Sequence, residues 1–200
     1  MDVRLERLGK AAFVVIGEDG ATNFGIVRGG DGSALLIDAD IRRIDEIEEA
    51  LKQAECRGVK YLFITHENFD HASANDYFEK RGAVVIASQG CLDALADDGD
   101  AKFAEMAGRS PELFERYPGL KMRLPHVVFA TGLTVKLPGA TVYLRHYDQS
   151  HSRGDSTAYF AEEEIFFAGD LLYTNYHPVT IYGRIDRWAK TLGELKEVRY

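Results

Sequence analysis

Short apolar runs separated by glycine-rich turns open the chain. Residues 12–16, 22–27 and 34–37 are rich in apolar and β-branched side chains, and glycine-rich segments at 17–20 and 29–32 lie between them. Such runs, bounded by turn residues, predict strands, and the short separations between them predict hairpins. We therefore expect three strands joined by two hairpin connections.

A helix and two buried strands are predicted to follow. Apolar residues recur at spacings of three and four between 41 and 54, which predicts a helix that Asp40 caps and Gly58 ends. Residues 61–64 and 83–87 are continuous apolar runs, a pattern typical of strands in a sheet that helices cover. A polar segment at 65–73 then leads into a further helix that ends near Lys80. This alternation indicates an α/β fold with a mixed or parallel sheet.

The second half of the chain repeats the order of strands and helices. Residues 89–118 are predicted to be helical, and β-type runs follow between residues 127 and 168. A last helix presents one apolar face from Trp188 to Val198, and residues 198–200 are predicted to begin a strand. The two halves therefore echo each other.

Composition and charge restrict the classes of function. The 200 residues carry 32 acidic and 24 basic side chains, for a net charge of −8. An acidic surface repels phosphate backbones, which argues against a nucleic-acid partner. No apolar run reaches the roughly 18 residues of a membrane span, the charged N-terminus is unlike a secretory signal, and two cysteines do not make a disulfide framework. We expect one cytoplasmic domain over residues 1–200, with no membrane partner.

Histidines and carboxylates are concentrated directly after the predicted strands. The segment 65–71 reads Thr-His-Glu-Asn-Phe-Asp-His and follows a buried strand, at the end where α/β sheets bind ligands. Residues 151–154 read His-Ser-Arg-Gly, and Gly169-Asp170 follows a later apolar run. Imidazole and carboxylate groups that converge in this way can hold a metal ion. Each segment alone is also compatible with an ordinary polar turn, but three of them at strand ends favour one shared site.

The order of these segments resembles the metallo-β-lactamase superfamily of metal-dependent hydrolases. Its signature is a strand followed by Thr-His-x-His-x-Asp-His, then His-Thr/Ser-x-Gly, then a strand ending in Gly-Asp, and these correspond to residues 65–71, 151–154 and 169–170. Asn23 and residues 35–38 fit the usual opening of that fold. The resemblance covers nearly the whole chain. It implies an α/β fold of the αββα four-layer sandwich type, with mixed sheets, two internally similar halves and a metal site along one edge.

The resemblance also implies a role for each polar residue. His66 and His151 correspond to ligands of a first metal ion, Asp70 and His71 to ligands of a second, and Asp170 to the carboxylate that bridges both. One or two zinc ions are the implied cofactor, since imidazole and carboxylate are normal zinc donors. A metal-bound water has a pKa of about 7. The implied reaction is therefore attack of metal-bound hydroxide on a small ester, thioester, lactone or amide, with Asp70 as the catalytic residue that orients the hydroxide.

Two departures from the superfamily pattern affect this site. Asn68 stands where the motif has its second histidine, and a neutral amide oxygen is a weaker zinc donor than imidazole, so Asn68 is at most a weak ligand. The chain also stops before the last strand of the family and its Pro-Gly-His-Gly-like turn, whose histidine binds the second metal. We therefore expect a shortened domain in which each metal keeps three protein ligands.

Two other functions stay open from the sequence. His66, His151 and Asp170 are the two histidines and one carboxylate of non-haem iron oxygenases, so a mononuclear iron enzyme similar to persulfide dioxygenases is one alternative. The other is a metal-poor relative of the fold that binds a ligand without catalysis.

A polar and aromatic segment follows the Gly-Asp motif. Tyr173, Asn175 and His177 are predicted to line the substrate cleft, although an ordinary surface loop is an equal alternative. The one partner that we expect is a small-molecule substrate, and the sequence leaves the oligomeric state open.

Overall fold

A computed structural model describes residues 3–18, 21–147 and 149–197. Within these ranges, two β-sheets are combined with six α-helices. The predicted strand at residues 198–200, and Val198 of the predicted helical face, lie outside the described residues. None of the helices in the described ranges is both long enough and apolar enough to cross a membrane.

The first sheet has seven strands, and their order across the sheet is their order along the chain. They are β1 (Leu5–Arg7), β2 (Ala12–Val15), β3 (Phe24–Arg28), β4 (Ser33–Ile37), β5 (Gly58–Phe63), β6 (Val84–Ser88) and β7 (Val127–Phe129). Strands β1 to β4 pair antiparallel, which confirms the two predicted hairpins. Strands β4 to β7 pair parallel. Strand β1 is a short, charged edge strand that the apolar pattern did not predict.

The second sheet has four antiparallel strands in the order β11-β10-β9-β8. They are β8 (Gly132–Leu137), β9 (Ala140–His146), β10 (Ser156–Phe160) and β11 (Ile165–Phe167). Strand β7 was expected among the strands of this second half. It pairs instead with β6 at the edge of the first sheet, because strand pairing depends on long-range contacts that the local pattern does not encode.

The helices connect and flank the sheets. They are α1 (Ile44–Gln53), α2 (Phe69–Ala72), α3 (Asn75–Glu79), α4 (Gln89–Arg109), α5 (Pro111–Arg116) and α6 (Ile185–Glu197). A 3₁₀ turn at Ile41–Arg43 precedes α1, and the carboxylate of Asp40 accepts a hydrogen bond from Arg42 N at 2.8 Å, as predicted for the cap. Helix α1 ends before Gly58, because Glu55 adopts a φ of +56° and Gly58 already begins β5.

The helix predicted to end near Lys80 is α3, and the polar segment 65–73 before it contains a further short helix, α2. Ser73 and Ala74, which lie between the two helices, bond to the loop after β4 instead of continuing one helical ladder. Ser73 Oγ accepts a hydrogen bond from Ile41 N at 2.9 Å, and Ala74 N donates to Ala39 O at 3.0 Å. These contacts tie the junction between α2 and α3 to the loop after β4.

The apolar core has two main layers. One lies between the first sheet and the helices, where Ile47 of α1 and Phe78 of α3 are buried. The other lies between the two sheets and includes Phe63 of β5 and Phe160 of β10. Packing of helices on a sheet, and of that sheet on a second sheet, confirms the predicted mixed α/β fold.

Candidate metal site

Three separate segments bring ligand-type side chains to one point. The nearest ligand atoms of His66, His151 and Asp170 all lie within 4.8 Å of one another. His66 follows β5, His151 lies in the loop between β9 and β10, and Asp170 lies in a 3₁₀ turn at Gly169–Leu171, directly after β11. The imidazoles of His66 and His151 are buried, and their ring centroids are 4.8 Å apart. The arrangement therefore depends on both sheets.

The Nε2 atom of His66 is a buried nitrogen without a hydrogen-bond partner among the described residues. The other ring nitrogen of His66, Nδ1, contacts Thr65 Oγ1 at 3.1 Å. Burial, together with the nearby imidazole of His71, lowers the pKa of His66, so its ring is neutral at neutral pH. An unpartnered buried polar atom is costly. A metal ion bound at this nitrogen would satisfy it, so the residues present fit a metal.

His71 faces the same space from the start of α2. Its Nδ1 atom donates to Asp38 Oδ2 at 2.8 Å, and its Nε2 atom lies 3.4 Å from Asp170 Oδ1 and 3.6 Å from Asp70 Oδ2. Burial alone would lower the pKa of His71, but Asp38, Asp70 and Asp170 raise it well above its ordinary value. Carboxylates that favour a proton on His71 would also favour a metal ion in its place.

Asp70 and Asp170 are both held as carboxylates. Burial opposes ionisation, but the nearby His71 lowers the pKa of both groups, and hydrogen bonds contribute to the same shift. The hydroxyl of Thr22 donates to Asp70 Oδ2. Tyr173 donates from its hydroxyl to Asp170 Oδ2 at 2.5 Å. The structure thus brings together the five residues that the sequence suggested as metal ligands, and their roles as ligands remain a prediction.

Asp38 is a residue of this site that the sequence analysis did not identify. Its carboxylate accepts hydrogen bonds at 2.8 Å from the backbone N–H and from the hydroxyl of Thr65, and also from His71. Asp38 follows β4, which pairs parallel with β5, so the ends of the two strands are neighbours. The one signal in the sequence was a polar residue directly after the apolar run 34–37. Through these bonds Asp38 orients His71 and the strand end that carries His66.

Replacing Asp38 with asparagine is expected to lower zinc affinity by about 10–100-fold, the usual cost of losing the hydrogen-bond partner of a metal ligand. Asparagine suits the left-handed backbone at this position, where φ is +62°, so the change removes charge without forcing a new backbone conformation. Competition with a chromophoric chelator measures the affinity. Asp31→Asn, in the exposed turn between β3 and β4, is the control. Equal affinities for Asp38→Asn and the wild type would refute this role for Asp38.

Asn68 also faces the metal cluster. Its side-chain Nδ2 lies 2.9 Å from His151 Nε2. His151 Nδ1 donates to Val179 O at 2.9 Å, so Nε2 is the unprotonated nitrogen that can accept a bond from the amide. Nε2 is also 3.6 Å from Asp170 Oδ2. The amide of Asn68 thus lies beside His151, at the motif position for which the resemblance implies a histidine.

The loop that carries His151 is fixed by two buried carboxylates. Asp155 accepts hydrogen bonds from the backbone N–H groups of Ser150, His151 and Ser152 at 2.6–3.0 Å. Glu67 accepts bonds from the next two backbone N–H groups of the loop at 3.0 and 2.9 Å. The side chain of Glu67 therefore points away from the metal cluster and holds the His151 loop against the segment 65–71.

The turn that carries Asp170 is held by close packing and by α6. Gly169 has a φ of +55°, and a Cβ atom there would lie 2.9 Å from the side chain of Thr65, so only glycine fits. Trp188 of α6 donates from Nε1 to Leu171 O at 3.1 Å. Its ring meets the ring of His151 edge-on, with centroids 5.5 Å apart. Trp188 therefore contacts both the turn that carries Asp170 and the imidazole of His151.

The three residues predicted to bind substrate differ in position. Tyr173 is half-buried and bonds to Asp170, with its ring centroid 6.2 Å from that of His151. Asn175 and His177 are exposed. Neither belongs to the metal cluster found among the described residues. Their role as substrate contacts remains a prediction.

The chain matches one family model and is similar in structure to several metallo-β-lactamases. The family model described as the metallo-β-lactamase superfamily matches residues 17–199. The metallo-β-lactamase IND-7 is similar in structure with a TM-score of 0.75 at 15% identity, over 98% of this chain and 85% of that chain. A metallo-β-lactamase from Pontibacter korlensis gives a TM-score of 0.75 at 16% identity, over 98% and 86%. The DIM-1 metallo-β-lactamase gives 0.73 at 12% identity, over 98% and 84%. At these low sequence identities, the similarity shows that the proteins share the fold.

Proposed function

The chain belongs to the metallo-β-lactamase superfamily, and on that premise we propose that it is a metal-dependent hydrolase of a small ester, thioester, lactone or amide. The observation that carries the proposal is the unpartnered, buried Nε2 of His66 beside His151 and Asp170. Neutral imidazole and carboxylate at that spacing are a zinc donor set. A purely structural histidine would be expected to have its buried nitrogen bonded.

Each side chain has a proposed part in this function. His66, His151 and Asp170 would hold a first zinc ion, and Asp70, His71 and Asp170 a second. When bound, zinc supplies a Lewis acid that activates water near neutral pH and polarises a carbonyl. Asp70 is ionised and partly exposed, so its carboxylate can accept a hydrogen bond from a water molecule and orient it. Asn68 adds a neutral amide, so the first site has less imidazole than the superfamily motif provides.

A mononuclear iron enzyme is the second candidate, and one observation favours it. Among the described residues, the compact group of ligand atoms consists of two histidines and one carboxylate. That set is the one used by non-haem iron oxygenases. Such an enzyme would consume dioxygen, with a persulfide as the substrate that the resemblance suggests.

Metal content and chelator-sensitive hydrolysis test the proposal together. The chain is purified, and its zinc, iron and manganese are measured per mole of protein. It is then assayed with a 4-nitrophenyl ester, an aryl thioester, a γ-lactone and an anilide. We expect one or two equivalents of zinc, and hydrolysis of at least one substrate that a chelator removes and zinc restores. Stoichiometric iron with persulfide-dependent oxygen uptake would favour the second candidate. Failure to bind added zinc would overturn the hydrolase proposal.

A further inference from the structure

Two adjoining cavities run along α4 beside the metal cluster. The larger, of about 290 Å³, lies between the start of α2 and one face of α4, and Asp70 and Met106 contribute to its lining. The smaller, of about 140 Å³, continues toward the N-terminal half of α4 past Ala94. Asn68, Lys102 and Tyr182 line both cavities. The cavities therefore form one groove, which we call the α4 groove, with these three residues at its middle.

The middle of the α4 groove opens on the metal cluster. Asn68 lines both cavities, and its amide nitrogen lies 2.9 Å from His151 Nε2. Asp70 lines the larger cavity, and its carboxylate is 3.6 Å from His71 Nε2. A substrate whose scissile bond lies at the cluster would therefore extend into the groove on one or both sides of Asn68.

Lys102 supplies a positive charge at this midpoint. Its Nζ atom is 2.9 Å from Asp98 and 5.5 Å from the ring centroid of Tyr182. The side chain of Lys102 is 35% exposed, whereas that of Asp98 is 52% exposed, so the carboxylate lies nearer the outer rim. An ammonium group has three donors, and Asp98 accepts one of them. Lys102 pairs with no other carboxylate among the residues that the structure describes, so its remaining donors can bond to a molecule in the groove.

The other two cations that line the groove lie farther from its middle. Arg109 borders the larger cavity alone, pairs with Glu105, and is 71% exposed. Arg153 borders the smaller cavity alone, pairs with Asp97, and is 43% exposed. Lys102 is thus the least exposed of the three lining cations. It is also the one that both cavities share.

We propose that the α4 groove holds the substrate and that Lys102 pairs with an anionic group on it. The substrate is then an ester or amide that carries a carboxylate or phosphate a few bonds from the scissile carbonyl. The inference rests on the proposed hydrolase function and specifies its substrate class. Four carboxylates line the groove. Asp98 and Glu105 pair with cations of α4, and Glu67 accepts two backbone N–H bonds from the His151 loop. The fourth, Asp70, faces His71 at the metal cluster. A bound metal ion would add positive charge beside Asn68.

Two esters that differ in charge test the specificity. The zinc-loaded chain is assayed with 4-nitrophenyl butyrate, which is neutral, and with the mono-4-nitrophenyl ester of glutaric acid, which carries a carboxylate. In Lys102→Gln we expect the ratio of kcat/KM for the anionic ester to that for the neutral ester to fall about tenfold, with the loss in KM. Lys52→Gln, on the exposed outer side of α1, should leave the ratio unchanged. A ratio that is unchanged in Lys102→Gln, or that falls equally in both variants, would overturn the proposal.

A binding measurement separates failure of this inference from failure of the hydrolase proposal. If neither ester is hydrolysed, calorimetry compares butyrate, butyl phosphate and neutral butyramide as ligands of the zinc-loaded wild type and of Lys102→Gln. Tighter binding of either anion than of butyramide, weakened about tenfold by Lys102→Gln, supports the groove assignment even without hydrolysis. The tighter of the two anions identifies the class. Equal affinities in the two proteins would overturn the assignment of Lys102.

Discussion

Replacing Asp170 with asparagine is expected to abolish zinc-dependent hydrolysis, with a loss of activity and of zinc affinity greater than about 100-fold. Asp170 faces His71 Nε2 at 3.4 Å and His151 Nε2 at 3.6 Å, so under the proposed function it would bind both metal ions. Loss of a group that merely supports a ligand typically costs 10–100-fold, and loss of a shared ligand should cost more. Asparagine keeps the shape of the side chain and removes its charge. Zinc per mole of protein and the rate of hydrolysis are the measurements.

The Asp170→Asn experiment includes a control variant and a check on folding. Asp186→Asn removes an exposed carboxylate near the start of α6 that pairs with Arg184, and it should retain both zinc and activity. Circular dichroism and urea unfolding of Asp170→Asn should show an intact fold, because Asp170 is partly exposed and lies outside the apolar layers. An Asp170→Asn protein that binds zinc as tightly as the wild type would show that Asp170 is not a ligand.

Replacing Asn68 with histidine is expected to raise zinc affinity at the first site by about 10–100-fold. The amide of Asn68 lies 2.9 Å from His151 Nε2, so an imidazole at position 68 would sit beside His66 and His151. Imidazole is among the commonest protein ligands of zinc. Asn68 lines both cavities of the α4 groove, which provides room for the larger ring. Affinity is measured by chelator competition, and hydrolysis is assayed in parallel.

A second variant, Asn68→Ala, tests whether the amide of Asn68 itself binds the metal. If the amide of Asn68 is a weak ligand, alanine should lower zinc affinity severalfold, while histidine raises it. If alanine has no effect and histidine still raises affinity, Asn68 does not bind the metal and the first site has three protein ligands. Activity that appears only in Asn68→His would favour the alternative that the chain is a metal-poor relative of the fold without catalytic activity. A histidine variant with unchanged affinity would contradict the prediction.

Much of the fold could be predicted from the local spacing of apolar and turn residues along the sequence. The hairpins of β2–β4 and helix α1 follow from short-range patterns of apolar and turn residues, and the structure confirms them. Two features were missed for the same physical reason. Strand β7 joins the first sheet through pairing with β6, and the break between α2 and α3 depends on bonds to Ile41 and Ala39. Both are set by contacts between segments distant in the sequence.

The candidate site was predictable to the extent that strand ends converge. His66, His151 and Asp170 each follow a strand or lie in a loop between strands, and the packing of the two sheets brings them together. Asp38 and Glu67 were not predicted to support the site, because single acidic residues have no distinguishing spacing. Their functions depend on a register and a loop contact that appear only in three dimensions.

The packing of Trp188 against His151 gives this protein an internal optical probe. Trp188 is the one tryptophan in the sequence, it is 6% exposed, and its ring lies 5.5 Å from that of His151. Indole emission shifts to shorter wavelength when the ring is buried, and its intensity depends on the groups in contact with the ring. When excitation is at a wavelength that the ten tyrosines do not absorb, the intrinsic fluorescence therefore arises from a single indole that adjoins the metal cluster. Its intensity should change when a metal ion binds at His151, so metal occupancy can be followed without an added dye.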